Sequence, residues 1–284
     1  MTKPTFGLTV SRFRRVLRPL LTAASSDRLN AIEARVDALR QRIELLSGQL
    51  VVTPYMADAS LLQTSDDQGR PAIGYAADAI DRPGDVYRRF EDIFRGSEEF
   101  IRERQRVYLR AIGVRQPVLD VGCGRGEFLD LLRDAGVPAK GIDMDAGMVN
   151  RCSEKGHDVE QAEANAYLES VRDASLGAIF SAQVIEHLPY DELLRFFELS
   201  RRKLARDGVF IAETVNPHSI QAFKMFWIDP THKTPIYPEV AVALCRLHGF
   251  ASAIVIFPNG VGDLGRDRVE QGEYAVLATV SARS

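Results

Sequence analysis

The sequence predicts an α/β fold: a doubly wound, mostly parallel sheet with an antiparallel final hairpin, preceded by a helical, coiled-coil extension. Three observations predict it. Short apolar runs alternate with helical patterns from Val118 onward, three glycines crowd the end of the first run, and an apolar repeat of period 3.5 occupies residues 29–50. Alternating β and α elements bury a parallel sheet under helices on both faces.

The elements follow in order. Residues 1–25 form a basic N-terminal segment with Lys3, Arg12, Arg14, Arg15 and Arg18 and no acidic residue. Phe13, Val16, Leu17, Leu20 and Leu21 interleave with the arginines at helical spacing, which suits peripheral contact with an anionic membrane surface. Pro19 interrupts that helix, so a frayed basic tail fits equally well. Residues 26–51 carry Leu29, Val36, Ile43 and Leu50 at one core position of a heptad and Ile32, Leu39 and Leu46 at the other. This pattern predicts a coiled-coil helix that joins copies into a homo-oligomer, with an amphipathic helix packed on its own chain as the alternative. Residues 52–84 lose the periodicity and gather Pro, Gly, Asp and Ser, which reads as a linker.

Residues 85–284 form the main domain. Helical character runs from 85 to 112, divided at Gly96 and Ser97. Strands are expected at Val118–Val121, Ala139–Asp143, Val159–Ala162, Leu176–Gln183, Gly208–Thr214, Ala253–Phe257 and Tyr274–Val280, with helices between the first five. The last two are joined by PNGVGDLGRDRVEQGE, read as a connection without a helix.

Bulk properties exclude several classes. The 36 basic and 39 acidic side chains of the 284 residues give a net charge of −3, which offers no broad positive field for nucleic acid. Cys123, Cys152 and Cys245 are odd in number and contain no CxxC pair, as expected of a cytoplasmic protein with reduced thiols. No apolar run approaches the roughly 20 residues that span a bilayer, and the N-terminus lacks a signal-peptide core.

The stretch VLDVGCGRGEF carries the chemistry. Glycines between a strand and a helix let backbone N–H groups approach a ligand with no Cβ in the way. A dinucleotide fingerprint needs a small residue where this chain has Glu127, and no GxxxxGK[ST] phosphate loop is present. Asp143, about 20 residues along at the end of the next strand, suits ribose hydroxyls.

In this order and spacing, VLDVGCGRGEF, GIDMD, AEANA, FSAQVIEHLP and LARDGVFIAET resemble the class I S-adenosylmethionine-dependent methyltransferases, a Rossmann-like fold. The resemblance implies S-adenosyl-L-methionine as cofactor. It places the backbone of Gly122, Cys123 and Gly124 against the methionine part with Asp120 nearby, and Asp143 on the ribose. Met144, Glu163 and Ala164 fall around the adenine, with Glu163 where the family usually has Asp, and Gln183 near the amino acid portion. FRGSEEFIRERQRVYL, QVIEHLP and FWIDPTHKTPIYPE further resemble methyltransferases of bacterial surface polysaccharides, including those that cap O-antigen chains and mycobacterial saccharide relatives. Arg95 then becomes a candidate partner for the cofactor carboxylate, since an arginine fork matches a carboxylate.

Methyl transfer to a sugar hydroxyl needs the acceptor held in line and its proton removed. His187, just after the fourth strand, is the candidate base. Some quinone-pathway O-methyltransferases carry ExxEH at this place and bind a divalent cation such as Mg²⁺ through it. Here Gln183 replaces the first carboxylate, leaving Glu186 and His187 as metal candidates beside Asp229 and His232 of the later loop. That loop also holds His218, Trp227 and Tyr237, which suit the stacking and hydrogen bonding of a pyranose. Asp229 and His232 are the first candidates there for catalysis or acceptor contact. No [ND]PP[YF] motif is present, so oxygen is favoured over nitrogen as the acceptor. The expected function is O-methylation of a saccharide or glycan; the alternatives are a quinone-like small molecule and an inactive cofactor-binding scaffold.

Overall fold

The structure is a computed structural model that describes residues 31–41 apart from 33, residues 61–75 and residues 95–281. The chain divides into two compact units, Met1–Val51 and Val52–Ser284. In the first, residues 34–41 are helical, and the seam residues Ile32, Val36 and Leu39 are 58%, 41% and 60% exposed. The basic segment, the other seam positions and residues 76–94 lie outside the described residues.

In the second unit, residues 61–75 hold a hairpin within the stretch read as linker. Strands β1 (Leu61–Ser65) and β2 (Pro71–Tyr75) pair antiparallel. The Asp66 carboxylate closes the turn by accepting from the Gln68 and Arg70 amides, each at 2.9 Å. Local Asx chemistry of this kind leaves no periodic apolar signal.

Helix α1 (Glu98–Gln105) begins where Gly96 and Ser97 break the chain. The Ser97 hydroxyl accepts from the Phe100 amide, Glu98 and Glu99 occupy the positive first turn, and Arg102 and Arg104 the negative last turn. A 3₁₀ turn (Arg106–Tyr108) and the short α2 (Leu109–Ile112) lead into the sheet.

The remaining strands are β3 (Val118–Val121), β4 (Ala139–Asp143), β5 (Val159–Gln161), β6 (Leu176–Ala182), β7 (Leu204–Val215), β8 (Ser252–Ile256) and β9 (Glu273–Thr279). They form one seven-stranded sheet in the order β5-β4-β3-β6-β7-β9-β8, parallel except that β9 runs antiparallel between β7 and β8. The connecting helices are α3 (Glu127–Asp134), α4 (Ala146–Glu154), α5 (Ala164–Ser170), α6 (Tyr190–Lys203), α7 (Ile220–Phe226) and α8 (Pro238–Leu247). This is the Rossmann-like architecture expected from the alternation of elements.

Besides the hairpin at 61–75, two features differ from expectation. Strand β7 is longer than the apolar core from which it was read, and the β8–β9 connection contains a helix, α9 (Leu264–Glu270). Gly265 and the charged sequence mask the helix, but Asp263 caps it by accepting from the Gly265 and Arg266 amides. The Asp267 carboxylate, 3% exposed, accepts from the Val261 and Gly262 amides at 2.8 and 2.9 Å and fastens the loop.

Alternate residues of the central strands feed two apolar layers. One gathers Leu119, Ile179, Phe196, Phe197, Phe210 and Phe250. The other gathers Tyr108, Val118, Phe128, Phe180 and Ile211. Their burial fixes the register, because a one-residue slip would turn every side chain to the wrong face. From β3 the chain winds outward through β4 and β5, then returns to β6 on the other side of β3. A crevice at the carboxyl ends of β3 and β6 follows from that reversal, and there an open α/β sheet receives its ligand.

Candidate functional site

The glycine loop occupies this crevice. The amides of Gly122 and Cys123 both donate to Ile142 O of β4, at 2.9 and 3.0 Å. Gly122 has φ 70°, and a Cβ there would stand 2.4 Å from Cγ2 of Val184; one on Gly124, φ 52°, would stand 2.8 Å from Nη1 of Arg95. The backbone favours glycine at both positions, and at Gly122 the packed Val184 side chain excludes a Cβ as well. Asp143, at the end of β4, accepts from the Gly124 amide at 2.9 Å and from the Asp145 amide at 2.8 Å, so its carboxylate ties the loop to the next strand. Burial pushes its carboxyl up, against those two amides and Arg95.

Other predicted residues take distinct places. Asp120 is buried with Oδ2 unpartnered, and burial, Glu127 and Asp143 hold its carboxyl well above the usual range. Cys123 and Cys152 are buried thiols, and Cys152 Sγ donates to Gly124 O. Glu163 caps α5, accepting from the Asn165 and Ala166 amides at 3.1 and 2.8 Å; Ala164 beside it is buried, whereas Met144 is 69% exposed. Gln183, the residue after β6, takes the left-handed region, φ 57°, with Nε2 buried and unpartnered. Such backbone in a non-glycine residue clusters at functional sites.

A cleft of about 380 Å³ opens beside the loop, lined among others by Arg95, Gln183, His187, Asp229, His232, Arg104 and Glu273. His187 lies on the 3₁₀ turn Ile185–His187 that follows β6, and His232 on the loop after α7. Their ring centroids are 4.5 Å apart. The Thr231 hydroxyl donates to Asp229 Oδ1 at 2.6 Å and meets His187 Nδ1 at 2.9 Å. A hydroxyl has one proton, so Thr231 accepts from His187 and assigns the proton to Nδ1. His232 Nδ1 lies 2.6 Å from Phe226 O, which can only accept. Both histidines are thus fixed with the lone pair on Nε2. Burial first, and then His232, lower the His187 pKa to about 4, against Asp229 and Thr231.

Glu186 is fully buried, and neither carboxylate oxygen makes a hydrogen bond of ordinary geometry. Burial pushes its carboxyl up to about 8, with its own backbone amide and the Thr214 side chain acting against the rise. Among the described residues, ligand atoms of Glu186, His187 and His232 lie within 4.8 Å of one another. Asp229 lies beside this group, its Oδ2 4.0 Å from His232 Nε2 and its Oδ1 engaged by Thr231. His218 pairs instead with Glu239 at 2.9 Å, and Trp227 packs edge-on against Phe226; neither lines the cleft.

Sequence reasoning missed the cleft's inner wall. Arg104 reaches Glu213 at 2.9 Å and Glu273 at 2.8 Å, and the Tyr108 hydroxyl donates to Glu213 in a short bond. Glu213 is fully buried. A carboxylate inside the apolar run of β7 was the available signal, since a buried charge implies a partner.

The residues present fit the cofactor that the fold implies. The cradle at Gly122 and Gly124 is one a Cβ would fill, and Asp120 Oδ2 and Gln183 Nε2 are buried polar atoms awaiting partners. Fold and loop together resemble those of class I S-adenosylmethionine-dependent methyltransferases. Residues 119–212 match the family described as methyltransferase domain. The chain is 29% identical over 146 residues to a probable S-adenosylmethionine-dependent methyltransferase of Mycolicibacterium smegmatis, covering 51% of this chain and 55% of that protein. It is 28% identical over 153 residues to one of Mycobacterium tuberculosis, covering 53% and 55%. The chain therefore spans about half the length of these curated relatives. A solved S-adenosylmethionine-dependent methyltransferase from Archaeoglobus fulgidus superposes with a TM-score of 0.63 at 29% identity, covering 69% of this chain and 100% of that one. No described helix is long and apolar enough to cross a membrane.

Proposed function

We propose that this chain methylates a hydroxyl oxygen of a saccharide, in a cell-surface or lipid-linked glycan. When bound, S-adenosylmethionine supplies an electrophilic methyl group on its sulfonium. In this reading Gly122, Cys123 and Gly124 present backbone to the methionine part, with Asp120 and Gln183 nearby. Arg95 takes the carboxylate, Asp143 the ribose, and Met144, Glu163 and Ala164 surround the adenine.

The observation that carries the reading is the state of His187: neutral, tied at Nδ1 by Thr231, and lining the cleft beside the glycine loop. An unprotonated Nε2 beside the acceptor takes the hydroxyl proton itself or binds a cation that acidifies the hydroxyl. Both routes place His187 at the reacting oxygen. The cleft wall mixes polar groups, Gln221, Asn259 and Gln271, which can meet the hydroxyls of a saccharide, with the apolar Ile101, Val215, Met225 and Ile228. Self-association through residues 26–51 and contact of residues 1–25 with a membrane surface belong to the same reading, since both would hold the domain near a lipid-linked acceptor.

The test is transfer of label from methyl-labelled S-adenosylmethionine by the full chain to glycans of its own source. Label in the saccharide fraction is the expected result. Label only in an apolar small molecule would replace the saccharide with a quinone-like acceptor, and no cofactor binding by calorimetry would reduce the chain to a scaffold.

A further inference from the structure

We infer that Glu273 is an acceptor-recognition residue, whose carboxylate takes a hydrogen bond from a hydroxyl of the saccharide other than the one that is methylated. The inference rests on the saccharide reading of the cleft, and it is carried by the way this one side chain is held.

Glu273 opens β9 and lines the cleft, its side chain 18% exposed. Arg104 Nη1 donates to its Oε1 at 2.8 Å, which fixes the orientation of the carboxylate. Among the described residues no hydrogen bond engages Oε2, and that oxygen is not sealed from solvent. The group is thus tied at one oxygen and open at the other. Packing alone does not call for it, because Arg104 already pairs with Glu213, which is fully buried and also accepts from Tyr108. In the β7–β9 register Glu213 stands opposite Ala275, so Glu273, two residues earlier, is its diagonal neighbour on the same face. Two carboxylates so placed repel, and one guanidinium serves both. Burial pushes the Glu273 carboxyl up, with Arg104 opposing the rise and Glu213 adding to it. A hydroxyl donating to Oε2 acts on the side of Arg104, since it favours the charged form.

The open oxygen defines the ligand group. An ionised carboxylate only accepts, so it selects a group that carries O–H and is left unpaired, at a cost, by one that offers carbonyl oxygens or C–H alone. Sites built to bond a hydroxyl reject analogues lacking it far more strongly than apolar pockets reject a change of size. The apolar Val215, Met225 and Ile228 on the same wall suit the C–H face of a sugar ring. With His187 at the oxygen that receives the methyl group, Glu273 governs which ring position is presented to it.

Transfer of label from methyl-labelled S-adenosylmethionine by the full chain, measured over a range of concentrations of the saccharide fraction of its own source, tests the assignment. Glu273→Gln keeps the shape of the side chain and an oxygen for Arg104, and turns an amide donor toward the cleft. It should raise the half-saturating concentration of the fraction about tenfold or more. Both kcat and S-adenosylmethionine affinity by calorimetry should stay at their wild-type values, the pattern of a lost acceptor contact. Glu273→Asp keeps the charge beside Arg104 and should raise the half-saturating concentration less. An unchanged half-saturating concentration in both variants, or a fall in cofactor affinity in its place, overturns the assignment and leaves the saccharide reading standing. No label in the saccharide fraction with the wild-type chain overturns the saccharide reading and the assignment with it.

Discussion

The Thr231 hydroxyl lies 2.9 Å from Nδ1 of His187, and one hydroxyl thereby decides which face of the imidazole is basic. Its proton goes to Asp229 Oδ1, so the arrangement reads from carboxylate to hydroxyl to ring to cleft. Thr231→Val should lower turnover about tenfold with cofactor affinity unchanged, and Thr231→Ser should restore it. His187→Ala should lower turnover further. A fully active His187→Ala variant would remove the residue from the mechanism.

Asp143 joins the glycine loop to β4 through the Gly124 amide. Asp143→Ala should weaken S-adenosylmethionine binding about tenfold or more, equivalent to ~1.4 kcal/mol. Calorimetry with the folded variant decides the matter, and unchanged affinity would refute the ribose assignment.

Arg104 compensates two carboxylates at the inner wall, one of them fully buried. Arg104→Met leaves the buried Glu213 charge without its cation, held only by the Tyr108 hydroxyl, and should cost about 3–5 kcal/mol in denaturant unfolding. Tyr108→Phe removes one hydrogen bond to the same carboxylate and should cost about 1–3 kcal/mol. Losses well under 1 kcal/mol in both would show that the network does not stabilise the fold.

Acid should loosen the packing of α1. Lys155 Nζ lies 2.7 Å from Glu98 and 3.4 Å from Asp130, and His157 lies 2.9 Å from Asp130. For Glu98, burial pushes the carboxyl up but is outweighed by Lys155 and Arg151; for Asp130 it is outweighed by His157 and Lys155. Both carboxyls therefore sit below their usual values. A depressed folded pKa stabilises above the ordinary carboxyl range, about pH 4, and the contribution is lost as pH falls through the depressed value. The double variant Glu98→Gln, Asp130→Asn should be less stable than wild type at pH 7, by about 1 kcal/mol or less per pair given the partial exposure. The difference should vanish in melts toward pH 2; a gap independent of pH would exclude this source.

The exposed seam residues Ile32, Val36 and Leu39 leave apolar surface that a second copy would cover. Deleting residues 1–52 should lower the mass measured by light scattering. An unchanged mass would mean that the helix does not join copies.

Much of the fold was legible because the signals are local. Strands β3 and β4 lie residue for residue where the sequence places them, each entered just after a proline, Pro117 and Pro138, and the alternation around them gives a parallel sheet. Helix α9 was not legible, because Asp263 and Asp267 stabilise it by hydrogen bonds that no apolar period announces. The hairpin at 61–75 escaped for the same reason.

By itself, the sequence determined the cofactor loop and the strand-end acid beside it. Gly122, Gly124 and Asp143 are constrained by their own backbone and by the next strand, within about 20 residues. Tertiary structure alone decided the rest. It separated His218 and Trp227 from the cleft, brought Glu186, His187 and His232 together, and made Thr231 the hydroxyl that sets the tautomer. It likewise paired Arg104 with Glu213 and Glu273, which neighbour each other only through the β7–β9 register. Such contacts join segments tens of residues apart, so their geometry follows from strand register and helix packing, which no local pattern encodes.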